Sequence, residues 1–261
     1  MQKKKPVILV TNDDGITAPG IKALVEAVRP LGEVIVVAPD GPQSGMGHAI
    51  TISKPLRLDE VKIFDGIKCY QTSGTPADCV KLAVSRILHK KPDLVVSGIN
   101  HGSNSSINII YSGTLSAAME GIIEGIPSIG FSLSEYGHDA EMDAAGAIAT
   151  NIVKQVLENK LPDGVLLNVN IPYLPLRDIK GIRVCRQAMA KWEEKFDERL
   201  DPHGRKYYWL VGDWLNKDNG DDTDEWALAN GYVSVVPAHF DLTAHHAIAT
   251  LNNWKFNVKK R

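Results

Sequence analysis

The stretch Val7-Ile8-Leu9-Val10-Thr11-Asn12-Asp13-Asp14-Gly15-Ile16 decides how the chain is read. An apolar run too short for a helix and rich in β-branched residues ends abruptly in two adjacent carboxylates and a glycine. Such a run predicts a buried parallel strand. Ala18-Pro19-Gly20 follows, and Ile21, Leu24, Val25 and Val28 then recur at helical spacing. The local pattern is strand, acidic turn, helix. In open α/β sheets ligands bind outside the carboxyl ends of the strands, which is where Asp13 and Asp14 fall. Neighbouring carboxylates repel, raising at least one pKa unless donors or a cation compensate. A hard divalent ion resolves that conflict. A solvated Asn-Asp-Asp-Gly turn is the equal alternative, because all four residues are common in turns.

The same alternation recurs along the chain. Residues 33–39 predict a second strand, followed by the glycine-rich loop 40–48. Residues 50–58 and 62–71 alternate loosely and suggest a hairpin-like pair. Thr75, Pro76 and Asp78 suit the N-cap, first position and positive end of a helix running through Val80, Leu82, Ala83 and Ile87. Residues 93–98 form another strand, with a long polar loop from Ile99 through Asn100, His101 and Asn104 to Tyr111-Ser112-Gly113-Thr114. A small-residue helix (115–123), a strand (127–132), an amphipathic helix (143–157) and a strand (164–171) follow. Repeated β-then-α order predicts an α/β fold with a doubly wound, mostly parallel sheet over residues 1–173.

From Leu174 the pattern changes. Residues 182–185 alternate, 191–200 are charged, and Tyr207-Tyr208-Trp209-Leu210-Val211 is a strongly β-prone aromatic run. Residues 174–230 therefore read as an antiparallel β extension. Residues 231–261 read as a returning strand and a C-terminal tail, with Asp241-Leu242-Thr243 as a helix cap. Exposed aromatic strands are often covered by a second subunit, so an oligomer is expected.

At 261 residues, one large α/β domain, or a domain with a subdomain, is expected. The net charge of -2 gives no bulk attraction to nucleic acid or membrane. Met1-Gln2-Lys3-Lys4-Lys5 resembles the front of a signal peptide, but its apolar run stops at Val10, and no stretch approaches the ~20 apolar residues of a membrane span. Cys69, Cys79 and Cys185 are unevenly spaced with no CxxC pair, which disfavours a disulfide scaffold and a thiolate metal site. A reducing, cytoplasmic setting is expected.

Four features fall at loops after strands: Asp13 with Asp14, the loop containing Ser44, Asn100 to Asn104, and Ser112-Gly113-Thr114. Two carboxylates, an amide oxygen and a hydroxyl make a partial shell for Mg²⁺ or a similar hard ion. Taken singly, Asn100 reads as a loop-structuring residue and Ser44 as a turn hydroxyl. Ser112-Gly113-Thr114 opens a helix, where backbone N–H groups bind anions, although in isolation it reads as a plain cap. A cation pocket beside an anion pocket points to phosphate ester chemistry. Gly15 to Lys22 approaches a P-loop but has an extra residue before the lysine and no Ser or Thr after it. Gly45-Met46-Gly47 lacks the third glycine of a dinucleotide fingerprint. His48 and His101 lie in the candidate pocket and read equally as proton donors or solvated loop histidines, and Tyr111 reads as a core residue.

These motifs resemble the SurE survival-protein family: Thr11 to Gly15 with Ala18-Pro19-Gly20, Val37 to Asp40 with Ser44-Gly45, Gly74 to Val80, Ser97 to Asn104 with Tyr111 to Thr114, then Gly231 to Ser234 and Asp241 to Thr243. The resemblance spans nearly the whole chain in order. It implies a cytoplasmic, metal-dependent 5'- and 3'-nucleotidase acting on nucleoside monophosphates, a homodimer or homotetramer with a Rossmann-like core and a C-terminal tail used in oligomerisation. One Mg²⁺ or Mn²⁺ per subunit would be held by Asp13, Asp14, Ser44 and Asn100. Asn104, Ser112, Gly113 and Thr114 match residues that hold phosphate, and Asp13, Asp14 and Asn104 are the expected catalytic groups. Some members also hydrolyse short polyphosphate, so an exopolyphosphatase side activity belongs to the expectation. The chain departs from the family at Ser105-Ser106-Ile107-Asn108, which lacks the Gly-Asp often seen before Tyr-Ser-Gly-Thr. A non-catalytic nucleotide-binding regulator and a hydrolase of non-phosphate esters are the competing functions.

Overall fold

The computed structural model describes residues 5–137 and 139–256. The charged start at Met1–Lys4 and the last five residues of the tail lie outside that range. In chain order, β1 (Val7–Thr11), α1 (Pro19–Val28), β2 (Glu33–Pro39), β3 (Leu58–Val61), β4 (Lys68–Thr72) and α2 (Pro76–Leu82) come first. β5 (Leu94–His101), α3 (Asn108–Tyr111), α4 (Gly113–Ile123), β6 (Ser128–Leu133), α5 (Asp143–Asn159) and β7 (Leu166–Ile171) follow. β8 (Ile182–Val184), β9 (Ala190–Leu200), β10 (Lys206–Asn216), α6 (Asp224–Ala229), β11 (Val233–Ala238) and α7 (His245–Asn252) complete the described chain.

β1 is buried at every position, and its side chains alternate between two apolar layers: Ile8 and Val10 enter one, Val7 and Leu9 the other. A strand covered on both faces is what a parallel sheet between helical layers requires. α1 and α5 form one layer, α2 and α4 the other. Among the described residues one sheet has the order β3-β4-β2-β1-β5-β6-β7-β11-β8. Every neighbour from β4 to β7 is parallel, while β3 and β11 run antiparallel to β4 and β7. The chain leaves β1 toward β2 and β4, then returns to β5 on the opposite side of β1. The carboxyl ends of β1 and β5 therefore frame a topological switch point, the crevice where open α/β sheets bind ligands.

Local chemistry accounts for the element starts. Pro19 occupies the first turn of α1, and Ile21, Leu24, Val25 and Val28 are its buried stripe. Thr75 and Asp78 form a capping box at α2, with Asp78 N–H donating to Thr75 Oγ1 (3.2 Å) and Thr75 N–H to Asp78 Oδ2 (3.0 Å). Beyond Leu82 the helix widens into a π-helical turn, Ala83–Leu88, where the sequence predicts one uninterrupted helix.

Several expectations are redrawn. Only β3 and β4 form the antiparallel pair foreseen across residues 50–71, and residues 50–57 are outside strands. The expected antiparallel extension divides in two. β9 and β10 form a separate antiparallel hairpin, but β8 joins the main sheet in parallel with β11. Asp241 does not cap α7, which begins at His245. Its carboxylate accepts the Thr243 N–H and faces His245 Nε2, each at 2.8 Å, shaping the turn before the helix. Tyr111 is about half exposed (53 %), not a core residue. No helix among the described residues is long and apolar enough to cross a membrane.

Candidate active site at the switch point

β1 ends at Thr11, and the Asn12 side-chain amide closes the following turn by donating to Gly15 O at 2.9 Å. Asp13 is thereby buried at the head of the crevice, and Asp14 is partly covered beside it. Thr114 Oγ1 donates to Asp13 Oδ1 at 2.5 Å, tying the acidic turn to the first turn of α4. Asp14 Oδ2 lies 3.5 Å from His101 Nδ1 at the end of β5. The acidic pair and the start of α4 thus meet across the two strands of the switch point.

The other expected residues lie in the loop after β2, at the end of β5 and at the start of α4. Gln43 N–H donates to Asp13 O at 2.7 Å, which seats the Ser44 turn against the acidic turn. The far end of that loop is held by Gly47 N–H on Tyr111 O (3.2 Å) and by His48 Nε2 on Glu120 Oε2 (2.9 Å). Glu120 also receives Lys81 Nζ at 2.6 Å. Burial alone would raise its pKa, but His48 and Lys81 hold it below the ordinary value. His48 therefore anchors the loop. The Asn100 amide NH₂ donates to the carbonyls of His101 (3.1 Å) and Gly102 (2.8 Å), which fixes the flip and leaves Oδ1 as the end suited to a cation. Ser112 caps α4, its Oγ accepting the Leu115 N–H at 3.1 Å, which leaves its own O–H free to donate. In that first turn the Leu115 N–H is taken by Ser112 Oγ, and the Thr114 backbone also bonds the Asp13 carboxylate.

Burial pushes the Asp13 carboxyl up to about 6; the Thr114 hydrogen bond opposes the rise and the Asp14 charge adds to it. A carboxyl raised in the fold binds its proton more tightly than in the unfolded chain. Its contribution to stability is full below the unfolded value of about 3.9 and is lost as pH climbs through the folded value. Urea unfolding of the chelated protein is therefore expected to show the wild type losing about 3 kcal/mol relative to Asp13→Asn between about pH 4 and pH 7. Saturating Mn²⁺ is expected to offset the loss.

The donor set fits a hard cation. Asp14 Oδ2 is buried and accepts no hydrogen bond among the described residues. Asp13 is its neighbour in the chain, and the carboxylate, amide and hydroxyl oxygens of the expected set are donors of the kind Mg²⁺ and Mn²⁺ take. No three His, Cys, Asp or Glu side chains gather as a metal site among the described residues.

Gly113 is required by close approach. A Cβ there would lie 2.6 Å from the Asp13 Cβ and 2.9 Å from its Oδ2. Gly113→Ala is expected to push Asp13 off Thr114 and to destabilise the protein by about 1–3 kcal/mol, measured by denaturant unfolding.

Asn104, one strand further out, is buried and held through the ends of β6 and β7. Its Nδ2 donates to Ser132 Oγ (2.8 Å), its N–H to Asn170 Oδ1 (2.7 Å), and its carbonyl accepts from Asn168 Nδ2 (2.9 Å). Neither Asn168 nor Asn170 stands out in the sequence reading. The available signal was two amides at alternate positions of the otherwise apolar run Leu-Leu-Asn-Val-Asn-Ile of β7.

The family described as Survival protein SurE matches residues 8–194. A Christiangramia forsetii protein named 5'-nucleotidase SurE is 64% identical over 259 residues, covering 98% of this chain and 100% of that protein. A Flavobacterium johnsoniae protein of the same name is 61% identical over 258 residues, with 98% and 100% covered. The crystal structure of the Sure protein from Aquifex aeolicus is similar with a TM-score of 0.83 and 45% identity, covering 95% of this chain and 98% of that one.

Proposed function

Because the chain belongs to the SurE family, we propose that it is a phosphoric monoester hydrolase that releases phosphate from 5'- and 3'-nucleoside monophosphates. The relatives named 5'-nucleotidase support the 5' activity. One divalent ion per subunit, Mg²⁺ or Mn²⁺, would be held by Asp13, Asp14, Ser44 and Asn100. When bound, such an ion supplies Lewis-acid stabilisation of phosphoryl charge and a more acidic water.

The observation that carries the reading is the 2.5 Å hydrogen bond from Thr114 to Asp13, which joins the acidic turn to the helix start that receives an anion. Asp13 or Asp14 orients the attacking water and takes its proton, with His101 Nδ1 3.5 Å from Asp14 Oδ2. Ser112, Gly113 and Thr114 at the helix start, with Asn104, meet the negative charge that develops on the phosphoryl oxygens.

An oligomer, dimer or tetramer, is part of the proposal. Its support is exposed apolar surface: Tyr208, Trp209 and Leu210 on β10, and Leu242, Trp254 and Phe256 in the tail. A cytoplasmic setting is proposed from three free, buried cysteines.

The test is a panel of 5'- and 3'-nucleoside monophosphates, with short polyphosphate as a candidate side substrate, incubated with Mn²⁺ or with chelator. Free phosphate from the nucleotides with metal, and none with chelator, is expected. No release from any nucleotide across Mg²⁺ and Mn²⁺ would leave a binding protein without turnover.

A further inference from the structure

We propose that Asn168 and Asn170 are positioning residues of the site, fixing the peptide and the side-chain amide of Asn104 for the phosphoryl group. This rests on the nucleotidase reading above.

Residues two apart on a strand point to one face, and both amides are almost fully buried (1 % and 0 % exposed). An amide is costly to bury unless its hydrogen bonds are made. Here they close a ring. The Asn104 N–H donates to Asn170 Oδ1 at 2.7 Å, Asn170 Nδ2 to Asn168 Oδ1 at 2.9 Å, and Asn168 Nδ2 to Asn104 O at 2.9 Å. Both polar groups contributed to the backbone by Asn104 are thus taken by one strand. Ser103 Oγ adds a bond to Asn170 Oδ1 at 3.2 Å. From the other side, Ser105 Oγ bonds Glu225, and Ser106 N–H donates to Asp224 Oδ2 at 2.8 Å. The loop between β5 and α3 is clamped between β7 and α6.

The consequence falls on the Asn104 side chain. One of its two amide hydrogens goes to Ser132 Oγ, which leaves the second N–H for an anion. A donor held in place before substrate arrives needs no reorganisation when charge develops, which is how such groups lower a barrier.

The test is a double-mutant cycle. Asn170→Ala and Asn168→Ala are each expected to lower kcat by about 10–100-fold, the range for residues that orient a working ligand, with KM within about threefold because the loss falls on the transition state. In an Asn104→Ala background, adding Asn170→Ala is expected to cost no further activity. Thermal unfolding of each variant is recorded alongside. Should Asn170→Ala fail to fold, Asn170→Ser, whose shorter polar side chain gives up the bond to the Asn104 N–H, enters the same cycle with the same expectation. Wild-type kcat in the single variants, or losses that multiply in full in the double variant, would overturn the positioning role. A parent chain with no nucleotide turnover overturns the nucleotidase reading and the inference together, whereas an active parent with multiplicative losses overturns the inference alone.

Discussion

Asp13→Asn is expected to lower phosphate release from nucleoside monophosphates by at least about 10³-fold, a loss of ~4 kcal/mol in the barrier, while making the chelated protein more stable above about pH 6. The two effects have one origin. Asp13 is buried beside a second carboxylate, and its charged form is disfavoured in the metal-free fold. The isosteric amide removes that penalty and still accepts the Thr114 hydroxyl, so the fold gains where the chemistry fails. A residue serving only the turn would show the opposite pattern, with activity following stability. Phosphate-release kinetics with Mn²⁺ and urea unfolding with chelator, on the same preparation, separate the two cases.

Gly20→Ala is expected to destabilise the protein by ~3 kcal/mol or more and to remove activity with it. A Cβ at position 20 would lie 1.9 Å from Ile99 O, a backbone atom of β5 that no rotamer change can move aside. α1 must retreat from the sheet or β5 must shift, and the next residue on that strand is Asn100. The substitution therefore acts on the core beneath the crevice and on the geometry between Asn100 and Asp14 at once. Denaturant unfolding reads the first effect, and phosphate release in the residual folded fraction reads the second.

Much of the sheet was legible because its strands are short apolar runs closed by turn residues. The 33–39 reading coincides with β2, and the acidic turn, the Ser44 loop and the start of α4 fall at the carboxyl edge as the alternation requires. What the chain hides is pairing between distant segments. β8 joins β11 in parallel some fifty residues later, and nothing in Ile182-Arg183-Val184 announces a parallel partner. The charged run of β9 carries little strand signal of its own, and within the span read as an antiparallel extension it pairs residue for residue with the aromatic β10, from Lys206 opposite Leu200 to Asn216 opposite Ala190. Pairing, not composition, makes it a strand.

At the site, the residue types at strand ends were readable while the supports behind them were not. Asn168 and Asn170 look like interruptions of an apolar strand until the fold brings the Asn104 peptide onto them. His48, equally a proton donor or a solvated loop residue by sequence, is the loop's anchor on Glu120. Tyr111 looks like core and lies at the surface because α3 is a single turn beside the crevice.

Calorimetric titration of Mn²⁺ into the chelator-stripped chain measures most directly whether the acidic turn, Ser44 and Asn100 share a cation. One ion per chain is expected in the wild type, with affinity falling at least about tenfold in Asn100→Ala and binding lost in Asp14→Asn. Binding unchanged in Asp13→Asn and Asp14→Asn alike would contradict the assignment.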